Sequence, residues 1–480
     1  MSLVKQTSVY FAANAASAAF GLLNVVIFTR LMTPAEYGIY IIGTALAAII
    51  GAILFTWLRQ AIARHEAKAD GTDMRATVIA GFLCISLPLP LVVLAAAHFS
   101  AYDLKAVPAG IVFALCVGFY ELSIELLRAR QQTHHVLYAT LGRAVLVTLL
   151  GCGVLYVGGD GRALLLSGGV AYTLAALLVS REVWGRTKID FSQTRLWHFI
   201  AWGMPLTFSI GLLALATSTD RFIVAYLAGS GAAGQYGASV DLARQALIIP
   251  AISAASAFVP IAVKLLANEG KEAVQTHLKS CLELLLAITL PCCIGFAMLA
   301  PRISNLVLGE EFRAVGASII PIVSIAVIFQ IFVQQYLHIS FFLSSQNRFY
   351  LINAVVTFVL GTILSYFLID AFGVHGAAWG RVASEIISLL SALWLVRSAF
   401  TLPFPLMKSA KVGLAVGAMA VTIAIIDPLF RDWDRIAVAV LVPFGAVIYL
   451  AACWVLDVAD IRGKAMRAIV RFRSRFAPQD

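Results

Sequence analysis

Two stretches decide the reading: FTRLMTPAEYGIY (Phe28–Tyr40) and TDRFIVAYLAGSGAAGQYGAS (Thr219–Ser239). Each follows a long apolar run. Each carries an Arg where that run ends (Arg30, Arg221), then reaches a Tyr-Gly pair (Tyr37-Gly38, Tyr236-Gly237) that opens the next apolar run. The same arrangement at matching places in the two halves predicts an internal repeat. A second correspondence supports it: the short turns VGGDGR (Val157–Arg162) and FGVHG (Phe372–Gly376) each separate two apolar runs.

Working outward from these stretches, the 480-residue chain divides into fourteen apolar segments. Apolar residues make up 61% of it and charged residues 12%, and the mean hydropathy is +0.91. A soluble core of this size cannot bury so much apolar surface, whereas a membrane-spanning helix needs roughly 20 mostly apolar residues. An ordinary soluble enzyme, a disordered chain and a disulfide scaffold are excluded. The expected fold is an all-α polytopic membrane protein with about 14 transmembrane helices. These form two six-helix lobes plus two C-terminal helices. The expected boundaries are an N-lobe over 1–185, an inter-lobe linker over 186–198, a C-lobe over 199–396, and the last two spans with a basic tail over 397–480. Six spans per lobe is an even number, so the lobes relate by an axis along the membrane normal, an arrangement used by rocking transporters.

The net charge of +10 does not imply nucleic acid, because no soluble module presents it as a groove. With the N-terminus cytoplasmic, inner loops carry 25 of the 35 Lys and Arg residues and outer loops 8. This bias places both termini in the cytoplasm. The first apolar run exceeds a signal-peptide core, and a second span follows at once, so it reads as an uncleaved first helix. The segment IRGKAMRAIVRFRSRF (Ile461–Phe476) reads as a basic amphipathic stretch on the inner leaflet. The seven cysteines all fall in apolar segments without metal-ligand spacing and read as small core residues.

The longest outer stretch, 219–235, reads as a loop of small apolar residues. No outer loop accommodates a catalytic domain, and no HExxH pattern occurs. The chain is therefore expected not to be an enzyme, a prediction that sets aside a polymerase, ligase or glycosyltransferase. It is also expected to need neither cofactor nor metal.

TRLMTPAEYG after span 1, WLRQAIARHE (Trp57–Glu66), TDRFIVAYLAG…GQYG after span 7 and FGVHGAAWGRVASE (Phe372–Glu385) occur in this order. With the span count, they make the chain resemble the polysaccharide flippases of the Wzx/ExoT type, in the MOP exporter superfamily. The resemblance covers essentially the whole chain and implies a MATE-like lobed fold. It also implies export of an undecaprenyl-diphosphate-linked oligosaccharide across the bacterial inner membrane, with the bilayer and a polysaccharide polymerase as partners. Two relatives compete within the superfamily: a cation-coupled multidrug antiporter and a lipid II flippase. A purely structural membrane protein would not need Arg within spans of both lobes.

Ionisable residues inside spans are costly and mark function by default. The cargo implied by the resemblance has an anionic diphosphate, and Arg matches phosphate because its planar fork engages two oxygens. Arg30, Arg221, Arg244 and Arg381 are therefore expected to face the lumen and contact phosphate, with Arg59 capturing substrate at the cytoplasmic mouth. For Arg30 and Arg221 the resemblance adds support, since it favours lumen cations on the first helix of each lobe. The spacing leaves other roles open. Asp241 and Arg244 are three apart and Arg381 and Glu385 four apart, as helix-internal ion pairs would be, and Arg30 and Arg221 sit where they can snorkel. Glu121 and Glu125 share a helix face without an in-span cation and are expected, with Asp220 and Asp241, as candidates for ion coupling; Arg128, within i+3 reach of Glu125, leaves a structural contact equally open. Asn14, Ser17 and Asn24 on span 1, with Gln330, Gln334, Gln335 and His338 on span 10, read as sugar-hydroxyl or interhelical contacts.

Overall fold

A computed structural model of the chain describes residues 3–65, 73–89, 91, 106–185, 191–256, 258–344, 346–430 and 433–463. Every regular element among them is a helix. Among the described residues ten helices are long and apolar enough to cross a bilayer, and two shorter apolar helices, Ala15–Leu31 and Arg75–Ser86, accompany them. Two of the ten, Thr207–Asn268 and Arg348–Val396, far exceed one crossing. Each is broken at one glycine with positive φ: Gly229 (87°) and Gly373 (57°). An L-residue rarely adopts this conformation, so a single glycine ends one span and starts the next. Counted this way, the helices match the fourteen segments of the sequence, and the protein is a multi-pass membrane protein.

The 219–235 stretch is a correction. It is not a loop: helix runs through it on both sides of Gly229. Its Ala and Gly content reflects close helix packing rather than an unstructured connection. Most of the amphipathic Ile461–Phe476 segment lies outside the described residues, as does the side chain of Asn14.

Local sequence explains the helix starts. Thr33 opens the Pro34–Ile50 helix with a reciprocal capping box. Its Oγ1 accepts from the Glu36 N–H at 3.4 Å, and Glu36 Oε2 accepts from the Thr33 N–H at 3.3 Å. Pro34 occupies the first turn, where its missing N–H costs nothing. Asp160 caps the Gly161–Leu178 helix, accepting from the Ala163 N–H at 2.9 Å. That backbone hydrogen bond, helped by Arg162, holds its carboxyl below the usual carboxylate range.

The chain forms two compact units. The first comprises Met1–Gln245, Leu308–Val315 and Ala354–Ser384. In it, Val107–Ala129 packs on Pro34–Ile50 and Gly161–Leu178, and Leu3–Leu31 packs on Thr133–Tyr156. Its core includes Phe55, Leu58, Tyr120, Leu127, Val179 and Phe199. The helices that follow the two repeat motifs meet at backbone contact. A Cβ on Gly38 would stand 2.7 Å from the carbonyl carbon of Ser230, and one on Gly234 would stand 2.8 Å from the nitrogen of Gly38. Only glycine permits this approach. Beside it, Thr29 Oγ1 accepts from the Gly309 N–H at 3.1 Å, tying the Leu308–Val315 segment to the end of the first helix.

The second unit comprises Ala246–Val307, Gly316–Asn353 and Glu385–Asp480. Here Lys271–Met298 packs on Leu406–Ile426, which packs on Asp434–Leu456. Two polar clamps hold this group. Arg302 reaches Asp427 at 2.5 Å and Asp434 at 3.1 Å, and donates to the carbonyls of Asp427 and Phe430. Buried Glu283 accepts from Lys408 Nζ at 2.8 Å and from the Ala459 N–H at 2.7 Å, where the chain turns after its last span.

Candidate functional site

The repeat motif after span 7 carries the charged residues of the first unit into one cluster. Asp220 and Arg221 lie before the Gly229 break, while Tyr236, Asp241 and Arg244 lie after it. Arg381 comes from the helix after Gly373. Asp220 is the hub. Its Oδ2 accepts from Arg381 Nη1 at 3.0 Å and from the Tyr236 hydroxyl at 2.7 Å, and its Oδ1 accepts from the Arg221 N–H at 2.9 Å. Arg381 also reaches the Thr217 carbonyl at 3.3 Å. Arg221 donates to Asp241 Oδ1. Asp220, Arg221, Tyr236 and Arg381 are buried.

Arg244 lies within electrostatic range of both pairs. Among the described residues no carboxylate is within pairing distance of it, and its Nε is buried without a hydrogen-bond partner. Arg221, Arg244 and Arg381 thus converge on one cluster with Asp220 and Asp241. The in-helix partnership of Asp241 with Arg244 does not form, because Asp241 is taken by Arg221 from across the Gly229 break. Burial favours this exchange, since Arg221 is the more deeply placed guanidinium and a buried charge without a partner is expensive.

Arg30 ends the first helix and is exposed. Arg59 pairs with Glu121 at 3.3 Å, and Glu125 pairs with Arg128 at 3.4 Å. The Glu125–Arg128 pair is the i+3 contact that the spacing leaves open, and Glu121 takes its cation from another helix. Arg59 comes from a neighbouring helix that sequence spacing alone does not bring to Glu121. Ser17 and Asn24 make interhelical hydrogen bonds: Ser17 accepts from Arg143, and Asn24 Oδ1 accepts from Thr148 at 2.7 Å. In the second unit, His338 Nε2 lies 3.2 Å from Asn353 Oδ1, just after a π-helical turn over Val333–Leu337.

Tyr236 belongs to the site but was legible only as half of the Tyr-Gly repeat. The role of its hydroxyl, which fixes Asp220, depends on a contact between spans. Among the described residues no group of three or more His, Cys, Asp and Glu is placed to hold a metal ion.

No curated protein matches the chain in sequence. Its fold is similar to that of lipid II flippase MurJ in an inward closed conformation, with a TM-score of 0.74 and 16% identity over 93% of this chain and 98% of that one. It is also similar to an inward-facing multidrug resistance MATE family transporter of the MOP superfamily, with a TM-score of 0.61 and 14% identity over 80% of this chain and 95% of that one. A MATE structure in the straight conformation has a TM-score of 0.53 and 15% identity over 82% of this chain and 95% of that one. These likenesses show the fold, which is MurJ-like and MATE-like. A model of the family described as polysaccharide biosynthesis protein matches residues 27–317, more than half of the chain. The chain belongs to this family of polysaccharide biosynthesis proteins.

Proposed function

We propose that the protein flips an undecaprenyl-diphosphate-linked oligosaccharide from the cytoplasmic to the periplasmic leaflet of the bacterial inner membrane. On this reading both termini are cytoplasmic. Two six-helix lobes, 1–185 and 199–396, rock around a cationic lumen, and the product passes to a polysaccharide polymerase for an O-antigen or exopolysaccharide. The observation that carries the proposal is the Asp220–Arg221–Asp241–Arg244–Arg381 cluster, which gathers three guanidiniums among membrane-spanning helices. Hydrocarbon excludes a diphosphate and a hydrated glycan, and guanidinium forks are the protein groups best shaped to receive the former. A carrier of cationic drugs would want the opposite sign. Arg59 and Arg30 serve as contacts before and after the cluster, and the carboxylates Asp220, Asp241, Glu121 and Glu125 are the groups through which an ion gradient couples.

The test uses proteoliposomes holding the purified chain and a fluorescent undecaprenyl-diphosphate trisaccharide, read by access of a membrane-impermeant lectin. The inner-leaflet fraction should become accessible with the wild-type chain and stay shielded with Arg244→Gln. Equal flipping of lipid II would favour the lipid II reading, and transport of cationic drugs with no flipping would refute the proposal.

A further inference from the structure

A second cationic position lies in the first unit, away from the cluster above. Arg143, on the Thr133–Tyr156 helix, points into a box made by three other helices. Its Nη1 donates to the Tyr172 hydroxyl at 2.7 Å and its Nη2 donates to Ser17 Oγ. Its guanidinium carbon lies 5.1 Å from the Tyr172 ring centre and 5.7 Å from that of Tyr120. Its Nε is buried and has no hydrogen-bond partner.

The partners are what distinguish it. Arg221, Arg302 and Arg381 each face a carboxylate. Arg143 is held by two hydroxyls and two ring faces, all neutral, and among the described residues no carboxylate pairs with it. The carboxylate within its electrostatic range, Glu121, is already paired with Arg59. The positive charge of Arg143 is therefore oriented but not compensated. Hydroxyls fix the plane of the guanidinium, and its buried Nε–H has no acceptor, as a donor kept for an oxyanion would be. A merely structural Arg in a membrane helix would be expected to take an acid instead. Tyr40 lies within electrostatic range of Tyr172 on one side and of Asp241 and Arg221 on the other, so polar groups connect this box to the cluster.

We propose that Arg143, oriented by Ser17, Tyr120 and Tyr172, is a second binding station for the diphosphate of a prenyl-diphosphate lipid. The station lies between Arg59–Glu121 and the Arg221–Arg244–Arg381 cluster. The identity of the ligand rests on the flippase reading; the anion-binding character rests on the geometry of Arg143 alone.

The test is photolabelling of the full chain in detergent with a diazirine-bearing farnesyl diphosphate, followed by peptide mapping. Label is expected in the peptides around Arg143 and Tyr172. It should fall at least tenfold in Arg143→Gln and severalfold in Arg143→Lys, which keeps the charge but loses the fork. Tyr172→Phe should also weaken labelling, with the unfolding midpoint of the unliganded protein measured alongside. Inorganic diphosphate should compete only at far higher concentration than farnesyl diphosphate. Equal potency would make this a site for free diphosphate and overturn the lipid assignment. Should Arg143→Gln fail to fold, the wild-type map decides by itself. Diphosphate-dependent label confined to other helices overturns this inference and leaves the flippase reading standing. A wild-type chain that takes no label in preference to a farnesol-based control overturns both.

Discussion

Gly234 offers the sharpest test of how the repeat motifs work. A methyl group placed there would overlap the carbonyl oxygen of Pro34, stand 3.0 Å from its carbonyl carbon and stand 2.8 Å from the nitrogen of Gly38. These are backbone atoms of a capped helix, not the ends of flexible side chains. Carbon prefers about 3.5–4.0 Å from its neighbours, so Gly234→Ala forces the two helices apart by roughly an ångström. Overpacking of this kind costs about 1–3 kcal/mol. The displacement also reaches Tyr236, two residues on, whose hydroxyl donates to Asp220 at 2.7 Å. Lengthening that bond by an ångström removes it, at about 1.5–3 kcal/mol for a charged acceptor. Alanine returns about 1 kcal/mol of helix propensity. The expected loss is about 2–4 kcal/mol, measured by reversible denaturant titration in mixed micelles. Gly153→Ala is the control. A Cβ there meets nothing within 4 Å, so the variant should be unchanged or more stable by up to about 1 kcal/mol. If Gly234→Ala proves as stable as Gly153→Ala, the glycine contact is not what holds the motifs together.

Asp220→Asn should destabilise the protein by about 3–5 kcal/mol, because it breaks the buried ion pair with Arg381; the double variant with Arg381→Gln should recover much of this in a double-mutant cycle. Glu283→Gln should cost about 2 kcal/mol and speed hydrogen exchange at residues 457–463, since it weakens the bonds from Lys408 and the Ala459 N–H. Asp160→Ala should cost about 1 kcal/mol at neutral pH by removing a helix cap. Because the Asp160 carboxyl is held below its usual range, that difference should vanish as the wild type is acidified from above the unfolded carboxylate value, about 4, down through the lower folded one.

Spans were legible in the sequence because hydrocarbon imposes a length and a composition on every crossing. Gly229 and Gly373 fall within the stretches 219–235 and FGVHG that the sequence marks as boundaries. What it did not reveal at the first was that helix continues up to the glycine on both sides, since a loop of small residues and a tightly packed helix read alike. The charged residues were legible as a list, because ionisable groups stand out against an apolar background. Their pairing was not. Asp241 with Arg221, Asp220 with Arg381 and Glu121 with Arg59 each join different helices, and i,i+3 spacing carries no information about which helix lies opposite. Arg302 and Glu283 were missed as clamps for the same reason: their partners lie more than a hundred residues away along the chain.

Pairing also bears on how a flippase of this design would release what it binds. At about 4 Å and an effective dielectric near 20, one unit-charge contact is worth about 4 kcal/mol. A diphosphate that approaches Arg221 or Arg381 must compete with Asp241 or Asp220 for the same guanidinium, so most of the contact energy is cancelled. At Arg244 and Arg143 no carboxylate stands in the way, and the gain is limited by desolvation alone. In such a flippase the four guanidiniums would divide the work. On the proposed function, the two without acids would attract the head group, and the two with acids would accept it weakly enough to let it go. Neutralising Asp220 or Asp241 should therefore tighten binding of a prenyl diphosphate while slowing its release, whereas neutralising Arg244 should weaken binding outright. Tighter binding with faster flipping in an Asp241→Asn variant would contradict this division.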